Sequence, residues 1–207
     1  EYLVSVLPVN TVTKDNGDIE RKFWKDDFSV DSSDNYTGDV ASFTWDTVNG
    51  RITCATISSK TILNTLSETL LSGAGIDGVY EYIFAAESIY GSAMANGEHA
   101  VRFVLGKNET VDVKIGFHHP GNDYQIGTSM TLSDGTVIWG SITPPGGLTY
   151  QQWIANTHRL RIEIVNGVIT DASVDGVTFG TKFLVSPGAF TPKLGINCES
   201  LKVQTNF

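Results

Sequence analysis

The chain has 207 residues and a formal net charge of −9, from 23 acidic and 14 basic side chains. A field of that sign excludes nucleic acid and anionic membrane surfaces as electrostatically drawn partners and leaves neutral or cationic ones open. At this length roughly 70% of the unfolded surface is buried on folding, enough for a core that needs no staple. Charged residues make up 18% of the chain, a balance usual for β-rich extracellular or viral-surface domains rather than helical cytosolic enzymes.

No run of 18 apolar residues occurs, so no membrane insertion by a helix is expected. The opening EYLVSVLPVN has neither an initiator Met nor a signal-like segment. The chain is therefore expected to be a processed product or an excised piece of a longer protein. Residues 1–22 read as an N-terminal arm or linker, because Val9 to Asp27 is polar and dense in charge. Phe23 and Trp24 mark the start of a domain over residues 23–207. Next, KDDFSVDSSDNYTGD gathers Asp26, Asp27, Asp31, Asp34, Asn35 and Asp39. These are either hard oxygen ligands for a structural Ca²⁺ or solvated turn acids, and they lack the twelve-residue helix-loop-helix pattern. Ser58 to Ser72 sets Ile62, Leu63, Leu66 and Leu70 at helical spacing among Thr and Ser, which predicts a short helix or an irregular loop.

The rest is punctuated by turns. Asn16-Gly17, Asn49-Gly50, Asp77-Gly78, Asn96-Gly97, Asp134-Gly135, Asn166-Gly167 and Asp175-Gly176 supply the positive φ angles of tight hairpins. HAVRFVLG alternates Val101, Phe103 and Leu105 inward with Arg102 and Val104 outward. VDVKIGF gives Val111, Val113, Ile115 and Phe117 one face, and RLRIEIV does so with Leu160, Ile162 and Ile164. Period-two strands joined by hairpins, without a fixed repeat, predict an all-β, antiparallel β-sandwich. Cys54 and Cys198 lie in an early and the last strand pattern, either as a disulfide or as two separate buried thiols. No Cys/His spacing suggests zinc.

FWKDDFSVDSSDNYTG followed by FTWDTVNGRIT, then HRLRIEIVNGVITDASVDGV and the closing CESLKVQTNF, resembles in this order the concanavalin A-like lectin/glucanase jelly rolls, relatives of laminin G domains. The resemblance spans most of residues 23–207. It implies a jelly-roll sandwich and a role among carbohydrate-binding modules, glycan-cleaving enzymes, or phage tail and receptor-binding proteins. In that frame His158, Arg159 and Arg161 either keep a strand soluble or face a ligand.

Retaining glucanases need two carboxylates about 5 Å apart, and the Glu-x-Asp-x-x-Glu string of the jelly-roll enzymes is absent. Glu81 and Glu87 would stand roughly 20 Å apart on a straight strand, while Glu109 and Asp112 flank a turn. Lyases of this fold use Tyr and His with Arg and Gln; Tyr124, Gln125, His118 and His119 match only as residue types. The chain is therefore expected not to be an enzyme.

Binding remains. GFHHPGNDYQIG concentrates His118, His119, Asn122, Asp123 and Tyr124, which join directional donors and acceptors to an aromatic ring, as a sugar requires. Arg102 and Lys114, outward on flanking strands, reach the same face. Trp139 and Trp153 lie in or beside a Pro-Gly loop and serve either as stacking rings or as core plugs. The sequence thus predicts a non-catalytic, lectin-like module that attaches to a polysaccharide or cell-surface glycan. It is expected outside the cell or on a virion surface, as a possible homotrimer or larger assembly. A structural or decoration domain with protein partners is the alternative, and a glycoside hydrolase or polysaccharide lyase the second alternative.

Overall fold

The computed structural model describes residues 10–13, 19–22, 26, 28–54, 59–67, 75–84, 99–119 and 124–200. The strands are β1 (Asn10–Thr13), β2 (Ile19–Lys22), β3 (Tyr36–Gly38), β4 (Phe43–Asp46), β5 (Arg51–Cys54), β6 (Lys60–Asn64), β7 (Gly78–Phe84), β8 (His99–Asn108), β9 (Val111–His118) and β10 (Ile126–Thr131). They continue with β11 (Val137–Ile142), β12 (His158–Val165), β13 (Val168–Val174), β14 (Val177–Thr178) and β15 (Thr191–Ser200). A seven-stranded sheet runs β11-β10-β9-β8-β15-β6-β3 and a four-stranded sheet runs β14-β13-β12-β7. All their pairings are antiparallel. This is a jelly-roll β-sandwich, as the alternation predicts. No helix among the described residues is long and apolar enough to cross a membrane.

The sheets enclose one core in which Val101, Phe103 and Leu105 of β8 face Val113, Ile115 and Phe117 of β9 and Leu160, Ile162 and Ile164 of β12. Aromatic rings from β7 fill its centre. Phe84 stacks on Phe117 at 5.2 Å and tilts against Phe103 at 4.9 Å. Tyr82, which is fully buried, donates its hydroxyl to the Val104 carbonyl at 2.6 Å, so its polar end is satisfied.

Most of the described Asn-Gly and Asp-Gly pairs do make hairpins. Asn166 and Gly167 have φ of 52° and 72°, and Asp175 and Gly176 have 50° and 79°, the left-handed pair of a two-residue turn. Asp77-Gly78 does something else: Gly78 opens β7, and the Asp77 carboxylate accepts the Asn166 and Gly167 amides at 2.8 and 2.7 Å, bracing that distant turn.

One expectation needs correction in part. The stretch Ser58 to Ser72, expected as a helix or irregular loop, opens with strand β6, whose Ile62 packs in the core; residues 65–67 then turn helical, the Ser67 amide donating to Asn64 Oδ1 at 2.7 Å, and residues 58 and 68–72 lie outside the described ones. Pairing with β3 and β15 overrides the helical spacing, and β-branched Thr61 and Ile62 suit it. Within residues 1–22, expected as an arm or linker, β1 and β2 pair antiparallel.

The acidic run is used in turns. Asp26 accepts from the Phe28 amide at 2.9 Å, Ser32 Oγ at 2.6 Å and the Tyr36 hydroxyl at 2.9 Å. Burial first, and then the Asp26 charge, hold the Tyr36 hydroxyl well above its usual titration range. Asp39 accepts the Thr61 amide at 2.9 Å. Among the described residues no three His, Cys, Asp or Glu side chains converge on a metal position; Asp27 lies outside them.

Candidate functional site

Because alternate residues of a strand point to opposite faces, the residues of the seven-stranded sheet that avoid the core line its outer face. Register places Trp139, Ser129, Gly116, Arg102, Asn197 and Thr61 side by side in one row across β11, β10, β9, β8, β15 and β6. The row is polar, and much of it is sheltered.

Arg102 is only 7% exposed. Its Nε donates to Ser129 Oγ at 3.1 Å and its Nη1 to Asn197 Oδ1 at 3.4 Å. Arg102 and Ser129 stand two strands apart, and the bond spans the intervening Gly116, which presents no side chain to block it. Lys114 also donates to Asn197 Oδ1, at 3.4 Å. Asn197 Nδ2 in turn donates to Ser59 Oγ and Thr61 Oγ1, both at 2.9 Å. The amide therefore turns its oxygen to two cations and its nitrogen to two hydroxyls, fixing its orientation and theirs.

His118 flanks the row. It pairs with Gly127, and its ring lies over that glycine so closely that a Cβ there would clash with the imidazole. Trp139 meets the ring edge-on at 5.0 Å and is itself 52% exposed. His118 is 6% exposed, and its Nδ1 has no hydrogen-bond partner among the described residues. Burial, then the positive charge of Arg102, then His119, push its pKa down to about 4. At neutral pH it is an uncharged imidazole. The local arrangement is thus an accessible indole, a neutral ring with a spare nitrogen, and an anchored guanidinium. Such a set can hold a hydroxyl-rich ligand against an apolar ring face.

The other expected site residues are spread. Tyr124, 64% exposed, lies two residues before β10. His119 turns inward and packs edge-on to Tyr150 at 5.3 Å, and it is buried. Asn122 and Asp123 lie outside the described residues. Trp153 is corrected to a core plug: 2% exposed, it stacks on His158 at 3.9 Å and meets Phe117 edge-on at 5.2 Å. It sits in the short helix Tyr150–Ile154, which begins at Thr149 with a capping box to Gln152. That box fixes the helix's entry and so turns the indole into the core.

Ser129, Asn197 and Gly127 were not singled out from sequence. Gly127 alone carried a signal, a glycine inside a strand pattern that marks a close approach. Ser129 and Asn197 become site residues only through pairings between distant segments.

The charges of THRLRIEIV belong to the other sheet and are spent on each other. Arg159 donates to Glu81 at 2.6 Å, and Arg161 to Asp171 at 2.5 Å and Glu163 at 3.0 Å. His158 is buried, with Nδ1 2.6 Å from Asp175 Oδ2 and Nε2 2.5 Å from the Trp153 carbonyl. The outer face of this sheet is thus an ion-pair network of Arg159, Arg161, Glu163 and Asp171 over a buried Glu81, while His158 lies on the core side. As for the carboxylates considered for catalysis, Glu81 is engaged there, Glu109 sits in the β8–β9 turn with φ of 49°, Asp112 lies near Lys107 at 3.9 Å, and Glu87 is outside the described residues.

No family model and no curated protein sequence matches the chain. Among solved structures it is similar to one described as a native glycosidic hydrolase, with 14% identity, 86% of this chain and 90% of that chain covered, and a TM-score of 0.52. It is also similar to the carbohydrate-binding module CBM66 of Bacillus subtilis, with 12% identity, 83% and 91% covered, and a TM-score of 0.49. A third is alginate lyase A1-II′, of polysaccharide lyase family 7, with 14% identity, 99% and 91% covered, and a TM-score of 0.47. At such identities the likeness is one of fold, an antiparallel jelly-roll sandwich, and function does not follow from it.

Proposed function

We propose that this chain is a non-catalytic carbohydrate-binding module that holds a glycan of a cell surface or polysaccharide on the outer face of its seven-stranded sheet. The observation that carries the reading is the exposed Trp139 ring set edge-on to His118, beside the anchored Arg102. The indole offers an apolar face to sugar C–H groups. The buried His118 ring backs the indole, the guanidinium supplies directional contacts to hydroxyls, and Tyr124 is an outlying ring. An acidic chain does not repel neutral sugars, and a surface or secreted location fits a ligand of this kind.

A glycan array tests it, with wild type beside Trp139→Ala and His118→Gln variants whose melting temperatures are checked. Binding by wild type that both variants lose supports the site. A well-folded wild type that binds no saccharide would turn the search to protein partners and the structural role.

A glycan-cleaving enzyme is the second reading, suggested by the likeness in fold to a structure described as a glycosidic hydrolase; His118, its pKa lowered to about 4, would be a weak base at pH 7. Turnover of an oligosaccharide, lost in His118→Gln, would establish that reading over the first.

A further inference from the structure

Cys54 ends β5, which pairs with β4 in a separate two-stranded sheet. Cys198 lies in β15, in the interior of the seven-stranded sheet between β8 and β6. No strand pairing among the described residues joins these two sheets. Both cysteines are nevertheless fully buried in the same core cluster, and the Cys54 thiol is hydrogen-bonded to the Cys198 side chain. Both are thiols in this structure. Two thiols brought from opposite ends of the chain into contact, where neither meets water, differ from a scattered pair of small apolar fillers.

The surroundings favour reaction. The bond from Cys198 draws the Cys54 pKa below its ordinary value and burial opposes this; the Lys60 charge adds to the lowering and the Asp39 charge opposes it. Lys60 stands directly across from Cys198 in the ladder. A thiolate at Cys54 is the competent nucleophile.

We propose that Cys54 and Cys198 form a redox pair that closes into a disulfide and clamps the β4–β5 hairpin to the closing strand. The co-reactant is a small-molecule disulfide, RSSR. Cys54 loses its proton to solvent and attacks one sulfur of RSSR; that S–S bond breaks, and the departing RS⁻ takes up a proton. Cys198 then loses its proton and attacks the Cys54 sulfur of the mixed disulfide, expelling the second RS⁻, which is also protonated. Two protein thiols are oxidised and one RSSR is reduced to two RSH. Because both sulfurs are buried, exchange proceeds through local opening of the hairpin.

The bridge would close a loop of about 145 residues, long enough to raise the melting temperature by on the order of 10 °C. The test incubates the folded protein with oxidised glutathione, quenches with acid, denatures, alkylates with N-ethylmaleimide and measures the intact mass. The expected product is about 2 Da lighter than the reduced protein, one hydrogen being lost per thiol, and carries no adduct. Its melting temperature is expected to fall on adding reductant, and a Cys54→Ala, Cys198→Ala double variant is expected to lack that fall. Two maleimide adducts, a persisting glutathione adduct, or a bridge without any rise in melting temperature would each overturn the proposal. The mass measurement uses wild type alone, so a variant that fails to fold does not obscure the result.

Discussion

Lowering the pH from 7.5 to 4 perturbs His118 in a way the structure specifies. Its pKa falls from 6.5 to about 4 because the ring is buried and faces the Arg102 charge. In the unfolded chain the same imidazole takes its proton near the ordinary value. Between pH 6.5 and 4 the unfolded state therefore binds more protons than the native state, and stability drains as pH falls through that window. The contribution is complete above 6.5 and gone below 4. At about 1.4 kcal/mol for each tenfold change, the upper bound is roughly 3 kcal/mol. The neighbouring Trp139 is half exposed, and water at that edge reduces the effect to about 1–2 kcal/mol. Urea denaturation of wild type and His118→Gln at half-unit pH steps measures it. The carboxylates titrate alike in both proteins, so the difference curve isolates residue 118, and the variant is expected to lose less stability on acidification. Parallel curves between pH 6.5 and 4 would refute the argument that a buried, cation-facing imidazole occupies this position.

Further outcomes are expected at other positions. Gly127→Ala places a Cβ against the His118 ring, so glycan affinity falls at least about tenfold while stability drops by about 1–3 kcal/mol; calorimetric titration and chemical denaturation separate the two. Trp153→Ala empties a core position and costs about 3–5 kcal/mol by urea denaturation. Arg159→Ala leaves the buried Glu81 carboxylate on the opposite sheet without its partner, with a cost of about 1–3 kcal/mol and glycan binding unchanged by the same titration. Unchanged affinity in Gly127→Ala, or lost affinity in Arg159→Ala, would move the site away from the Trp139 face.

The sandwich was legible wherever one face of a strand is wet and the other dry. Leu160, Ile162 and Ile164 alternate with Arg159, Arg161 and Glu163 because burial differs between faces, and that difference is written in the local sequence; in β8 the residues expected outward, Arg102 and Val104, are buried as well. Lys60 to Asn64 misleads because Ile62 and Leu63 fit a helical spacing with Leu66, while their strand is decided by β3 and β15, which lie far away in the chain; helix begins only at Thr65. Asp77-Gly78 has the composition of a hairpin turn, but its carboxylate serves the Asn166-Gly167 turn instead, a tertiary role no local pattern encodes. At the site, Arg102, His118 and Trp139 were readable as outward or loop residues. Ser129 and Asn197 were not, since their roles depend on register between segments brought together from opposite parts of the chain. Trp153 was ambiguous because a tryptophan near a Pro-Gly loop suits both roles; the capping signal at Thr149 and Gln152 was the clue to its inward turn.

The most direct test follows the four tryptophan indole N–H resonances by two-dimensional ¹⁵N–¹H NMR while the best glycan from the array is titrated. The account predicts a saturable shift of the Trp139 indole, with Trp153, buried in the core, unmoved. Saturable binding that leaves the Trp139 resonance in place would contradict the assignment of the site to this sheet face.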